Sequence, residues 1–119
     1  MKDNFWSQPP NAGSRFAERR SVPRFEFVAP VEITEPIKKT HISGGVTEIS
    51  KRGCFAEVPR PLADNSIIQL RIERDKSAFE TWGRVIYNRP GIGLGLVFMD
   101  TAPEQSKLLA AWLDGLKGS

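Results

Sequence analysis

Two short stretches of this 119-residue chain gather side chains with chemistry to offer. The first is Glu18-Arg19-Arg20-Ser21-Val22-Pro23-Arg24. A guanidinium forks onto phosphate oxygens and stacks its plane on rings, so arginines this close together suit a small anionic, ring-bearing ligand. Arginines four apart also occur on solvated helix faces. Pro23 argues against a helix here, because it pushes Val22 out of the α region and leaves a turning chain able to bend around an object. The second stretch is Glu48-Ile49-Ser50-Lys51-Arg52-Gly53. A carboxylate can accept paired N–H groups such as those on a guanine edge, a serine hydroxyl can reach a phosphate or base atom, and glycine permits close backbone approach. The same spacing also fits a tight turn, with Ser50 bonding backbone and Gly53 at positive φ.

Other candidates offer less. His41 is the single histidine, without a second imidazole to share a metal. Cys54 is the single cysteine, so no internal disulfide forms, and it reads as a small buried hydrophobe. Gly91-x-Gly93-x-Gly95 lies between two predicted strands, the wrong setting for a phosphate loop. Lys51-Arg52 reads as a solvated turn or a secondary phosphate contact. With no base, nucleophile or metal cluster assembled, no enzyme is expected.

Charge placement sharpens the picture. The net charge is +3, and residues 1–24 carry all of it, with five basic residues against two acidic ones. The rest holds twelve of each and is neutral. Without an extended basic groove, no DNA or RNA partner is expected, because duplex affinity grows with the number of phosphates neutralised. No apolar run approaches the ~20 residues of a membrane-spanning helix. The polar start Met1-Lys2-Asp3-Asn4 lacks a signal-peptide pattern, so a cytoplasmic location is expected.

The elements that must position these residues are mostly strands. Residues 1–17 show no periodicity and contain Pro9-Pro10, Asn11 and Gly13, which predicts a flexible tail; Phe5 and Trp6 within it are unusual. Phe25, Phe27, Ala29, Val31 and Ile33 alternate with other residues as in a half-buried strand. Pro30 places that strand on an edge or at a bulge. Gly44-Gly45 is a turn candidate before a strand at Val46–Ile49, and Cys54–Val58 follows. Ile68, Leu70 and Ile72 alternate cleanly. Phe79 to Tyr87 is β-rich, although Trp82, Val85 and Ile86 blur its inward face. A turn at Asn88–Gly91 leads to alternating Leu94, Leu96 and Phe98. Short strands so joined predict an antiparallel barrel or sandwich. Only the C-terminus reads as helix: Thr101-x-x-Glu104 as a capping box, then Leu108, Leu109, Trp112, Leu113 and Leu116 on one face that plugs or flanks the barrel.

Arg19-Arg20-x-x-x-Arg24 before a first strand, then Glu48-x-Ser50-x-x-Gly53, resembles the PilZ domain family. Its signature is Arg-x-x-x-Arg in an N-terminal switch loop, followed by Asp/Asn-x-Ser-x-x-Gly. Gly83-Arg84-Val85-Ile86-Tyr87 and Gly93–Phe98 are similar to its closing strands, and the resemblance spans residues 18–117. It implies an all-β fold with a C-terminal helix, a six-stranded antiparallel β-barrel that binds the second messenger cyclic di-GMP and signals to an unidentified downstream protein. Arg20 and Arg24 would grip phosphates and guanine faces, with Arg19 adding a further guanidinium. Ser50 and Gly53 would line the barrel side, and Tyr87 would stack on a base or simply pack; Arg89 is a weaker candidate. Glu48 stands where the family has Asp or Asn. It keeps both acceptor oxygens but adds a methylene, which implies weakened or re-posed binding. A barrel that has lost the ligand and serves protein–protein interaction is the alternative.

Overall fold

The computed structural model describes residues 22–117. Six strands follow one another: β1 (Arg24–Glu35), β2 (Thr40–Ser50), β3 (Gly53–Glu57), β4 (Ile67–Arg74), β5 (Ser77–Arg89) and β6 (Gly93–Met99). Helix α1 (Pro103–Lys117) ends the described chain. Neighbouring strands pair antiparallel in the order β1-β2-β3-β6-β5-β4, and the sheet closes where β4 meets β1. The expected six-stranded barrel with a terminal helix is therefore what forms.

Alternation explains the closure. Phe27, Ala29, Val31 and Ile33 of β1 face inward, as do Ile68, Leu70 and Ile72 of β4 and Leu94 and Leu96 of β6. Each fully buried aliphatic side chain contributes roughly 1.5–3 kcal/mol, so a one-residue slip that turned such a row outward is strongly disfavoured. The pairing register shifts at three places, each a bulge. Phe27 and Val28 of β1 sit opposite the single Thr47, which is itself unpaired towards β3, and Ile86 is extra in β5. The last of these explains the blurred face of that strand. Phe79, Gly83 and Val85 point inward, and past Ile86 the parity changes.

Pro30 behaves as its chemistry requires. A bulge precedes it, and pairing of β1 with β4 begins only at Val31. Gly44-Gly45 does not turn; both lie within β2. A Cβ at Gly44 would collide with the carbonyl of Glu57, so the position needs glycine for close strand approach. The turn falls instead at residues 36–39, where the Glu35 carboxylate accepts from the N–H groups of Ile37 (3.2 Å) and Lys38 (2.7 Å).

Helix α1 begins at Pro103, with Ser106 N–H bonded to the Ala102 carbonyl. Thr101 does not cap it. Its hydroxyl is 2.8 Å from that of Thr81, tying the helix entry to β5. Leu109 and Leu113 are buried, and Trp112 packs against Phe27 and Phe79 with ring centroids 5.4 and 6.2 Å apart. The helix thus closes the barrel around Phe27 and Phe79. Trp112→Ala is expected to cost about 3 kcal/mol, read as a lower urea midpoint with the slope preserved.

Candidate functional site

The outer face of the barrel carries a continuous cross-strand row: Glu26, Glu48, Phe55, Gly95 and Tyr87, in register from β1 through β2, β3 and β6 to β5. One step beyond it, Arg24 opens β1 directly opposite Ser50. The last residue of the first motif, more than twenty residues before the second in sequence, therefore meets it across one strand pair. Arg19 and Arg20 lie outside the described residues.

Ser50 is fully buried, and its hydroxyl is committed to the β2–β3 turn. Its Oγ accepts from the N–H groups of Arg52 (3.1 Å) and Gly53 (3.2 Å) and lies 3.4 Å from the Gly53 carbonyl. The turn is held on its far side as well, where Phe98 N–H donates to the Arg52 carbonyl at 2.8 Å. Gly53 is buried at the start of β3 and is not among the positive-φ residues, so the turn is made by the serine side chain without a left-handed glycine.

Tyr87 lies across Gly95, where an added Cβ would sit 2.5 Å from the tyrosine Cε2. Only a residue without a side chain lets the ring lie flat there. Tyr87 and Phe55 have ring centroids 6.3 Å apart, and the Arg89 guanidinium stands 5.3 Å from the centre of Phe55. Burial pushes the Tyr87 hydroxyl up to about 12, against the opposing pull of Arg89 and Arg24, while Glu48 adds to the rise. The hydroxyl is buried and has no hydrogen-bond partner among the described residues.

The site joins cations (Arg24, Arg89), a carboxylate (Glu48) and an aromatic pair, half-buried Tyr87 beside buried Phe55. Such a set suits a ligand with anionic groups and planar rings. Phe55 was not legible as a site residue. Its signal was the alternation that puts Cys54 and Ala56 inside and hence Phe55 outside. A separate cleft of about 600 Å³ opens between Val28, Pro30 and the β4–β5 hairpin, and it touches no motif residue. His41 sits in a surface network, its Nε2 2.6 Å from Glu32 and its Nδ1 3.2 Å from the Thr34 hydroxyl. Cys54 is buried, and burial pushes its thiol up to about 12. Among the described residues no group of three or more His, Cys, Asp or Glu could hold a metal, and no helix is long and apolar enough to cross a membrane.

The family model for the PilZ domain matches residues 18–115. The chain belongs to the PilZ family. The PilZ domain of CeSA from a cellulose-synthesizing bacterium is similar to it with a TM-score of 0.65 at 18% identity, over 80% of this chain and 98% of that one. The PilZ domain of YcgR from Escherichia coli, solved with c-di-GMP, gives 0.67 at 14% identity over 83% and 92%. The Bacillus subtilis inhibitor of motility MotI/DgrA gives 0.63 at 21% identity, over 79% of this PilZ chain and 48% of that longer one. At these identities the likeness is one of fold. No curated protein sequence matches the chain.

Two measurements check the site's geometry. Ser50→Ala leaves the N–H groups of Arg52 and Gly53 without their acceptor, and a loss of roughly 1–3 kcal/mol is expected in urea denaturation. Tyr87 is the single tyrosine, so tyrosinate absorbance reports on it alone. Its midpoint is expected near 12 in the folded protein and ~10 in urea. Because the folded value is the higher, the folded state holds the proton longer. Stability is unaffected below pH ~10 and falls as pH rises from there towards 12.

Proposed function

We propose that this PilZ domain is a receptor for cyclic di-GMP that closes its N-terminal arginines over the barrel and thereby signals to a partner protein. The observation that carries the reading is the register that sets Arg24, the last residue of the first motif, opposite Ser50 of the second. Family membership supports it, as does the YcgR PilZ domain, which was solved with c-di-GMP.

In this reading Arg19, Arg20 and Arg24 grip the phosphates with forked hydrogen bonds and stack on guanine faces. Glu48 accepts from a guanine edge, Tyr87 offers its ring for stacking, and the Ser50–Gly53 turn forms the rigid backbone side of the site. Ordering the arginine segment costs about 1–2 kcal/mol per fixed residue, so the charge-assisted contacts must exceed that sum. The reordered segment then offers a partner a surface absent without ligand. No covalent chemistry is involved, and a cytoplasmic site of action goes with a nucleotide messenger.

A second reading draws on the committed Ser50 hydroxyl and on the extra methylene of Glu48: a barrel that has kept its fold, lost the ligand and binds proteins. Calorimetry at physiological salt separates the two. The receptor reading expects saturable cyclic di-GMP binding, at least tenfold weaker in Arg20→Ala and in Arg24→Ala, and tighter in Glu48→Asp. Undiminished affinity in both arginine variants overturns the arginine assignment. No binding at ~100 μM, about −5.5 kcal/mol, overturns the receptor reading itself.

A further inference from the structure

Next to the proposed ligand site, the outer face of β4, β5 and β6 carries a second set of residues that the receptor reading does not use. One register row runs Gly53, Val97, Arg84, Ile67, and the next runs Met99, Trp82, Gln69. The two rows are neighbours along β5 and β6, about 7 Å apart, because outward residues recur every second position. Trp82 and Ile67 are each 37% exposed, and Val97 and Met99 are half-buried beside them. The result is an apolar centre on a paired sheet whose backbone hydrogen bonds are already made.

The border of that centre carries unpaired cations, while Glu80, the next outward residue of β5 beside Trp82, is held by Arg71. Arg84 is exposed in the middle of that centre, and exposed Lys51 and Arg52 border it, because their turn is pinned to β6 at Phe98. Most other arginine head groups have a partner: Arg71 pairs with Glu73 and Glu80, Arg74 with Asp75, Arg60 reaches the His41 carbonyl and Arg89 covers Phe55. Arg24 too is engaged. Among the described residues the head groups of Arg84, Arg52 and Lys51 make no ion pair, side-chain hydrogen bond or ring contact. A tryptophan and a methionine beside unpaired arginines have the composition of a binding hot spot with a cationic border.

We propose that this face docks an acidic protein segment, one that sets an apolar residue on Trp82, Val97 and Met99 and carboxylates on Arg84, Arg52 and Lys51. The apolar centre favours a polypeptide over nucleic acid, which would track a continuous basic stripe. It also favours a polypeptide over an anionic bilayer, which recruits four or more clustered lysines and arginines. The face adjoins the Tyr87–Gly95 row, so a ligand-ordered arginine segment would lie beside the docked partner. The surface itself stands independently of the ligand reading.

The test selects from a random 16-residue peptide library displayed on phage, using the full chain as bait. Recovered peptides are expected to place Asp or Glu around an apolar residue. A synthetic copy should shift the amide resonances of residues 82, 84, 97 and 99 and bind Arg84→Glu at least tenfold more weakly. Arg84 is exposed and unpaired, so this variant keeps the fold, which circular dichroism checks. Arg71→Glu, altered in a paired arginine on the same sheet, should bind as the wild type does. Recovery of no peptide, of peptides without acidic residues, or of peptides indifferent to Arg84→Glu overturns the proposal. So does preferential binding of the same residues to a 15-nucleotide single strand or to phosphatidylglycerol vesicles. Cyclic di-GMP calorimetry on the same sample keeps a failed ligand reading distinguishable from a failed docking surface.

Discussion

Pairing between β1 and β2 is the constraint from which the candidate site follows. Below the bulge, Ala29 faces Val46, and continuing that register would set Arg24 against Lys51 in the turn. One extra residue at Phe27-Val28 shifts the count, and Arg24 falls opposite Ser50 and Glu26 opposite Glu48. Phe27 still faces the core, where Trp112 and the Arg74 guanidinium pack on its ring, while Val28 is displaced outward to 82% exposure. The cost of an exposed valine is small; a slipped register would expose a whole row of core residues.

The other two bulges act in the same band of the barrel. Thr47 resets β2 against β3 so that Glu48 stands beside Phe55. Ile86 resets β5 against β6, and without it Tyr87 would follow Val85 into the interior. Bulges re-aim side chains at the cost of a ladder bond, and here they aim a carboxylate and a phenol onto one face. The core below and the site above therefore obey different registers of the same strands.

This division explains what the amino-acid sequence disclosed. Strands with unbroken alternation, such as Ile68-x-Leu70-x-Ile72, and the helix with its Leu109–Leu113 stripe were legible because one period governs them. Strand β5 was not, since two periods meet at Ile86 and made its inward face ambiguous; Phe55 was overlooked although the regular alternation of β3 places it outward. Gly44-Gly45 read as a turn because glycine marks both turns and close strand contacts, and only the neighbouring Glu57 carbonyl decides between them. Thr101 had the spacing of a cap, but Thr81 lies within hydrogen-bond reach of its hydroxyl. Arg24, Glu48 and Ser50 were singled out by chemistry and spacing and given roles by family likeness, whereas Phe55 drew notice only with Tyr87 and Arg89 seen beside it.

The engagement of Ser50 bears on how such domains are sorted. Its oxygen secures a reversal of the chain, and that need persists in a descendant that has abandoned its nucleotide. A Ser-x-x-Gly signature in this setting is a mark of architecture. By itself that signature reports a held turn between β2 and β3, whatever the surface above it takes.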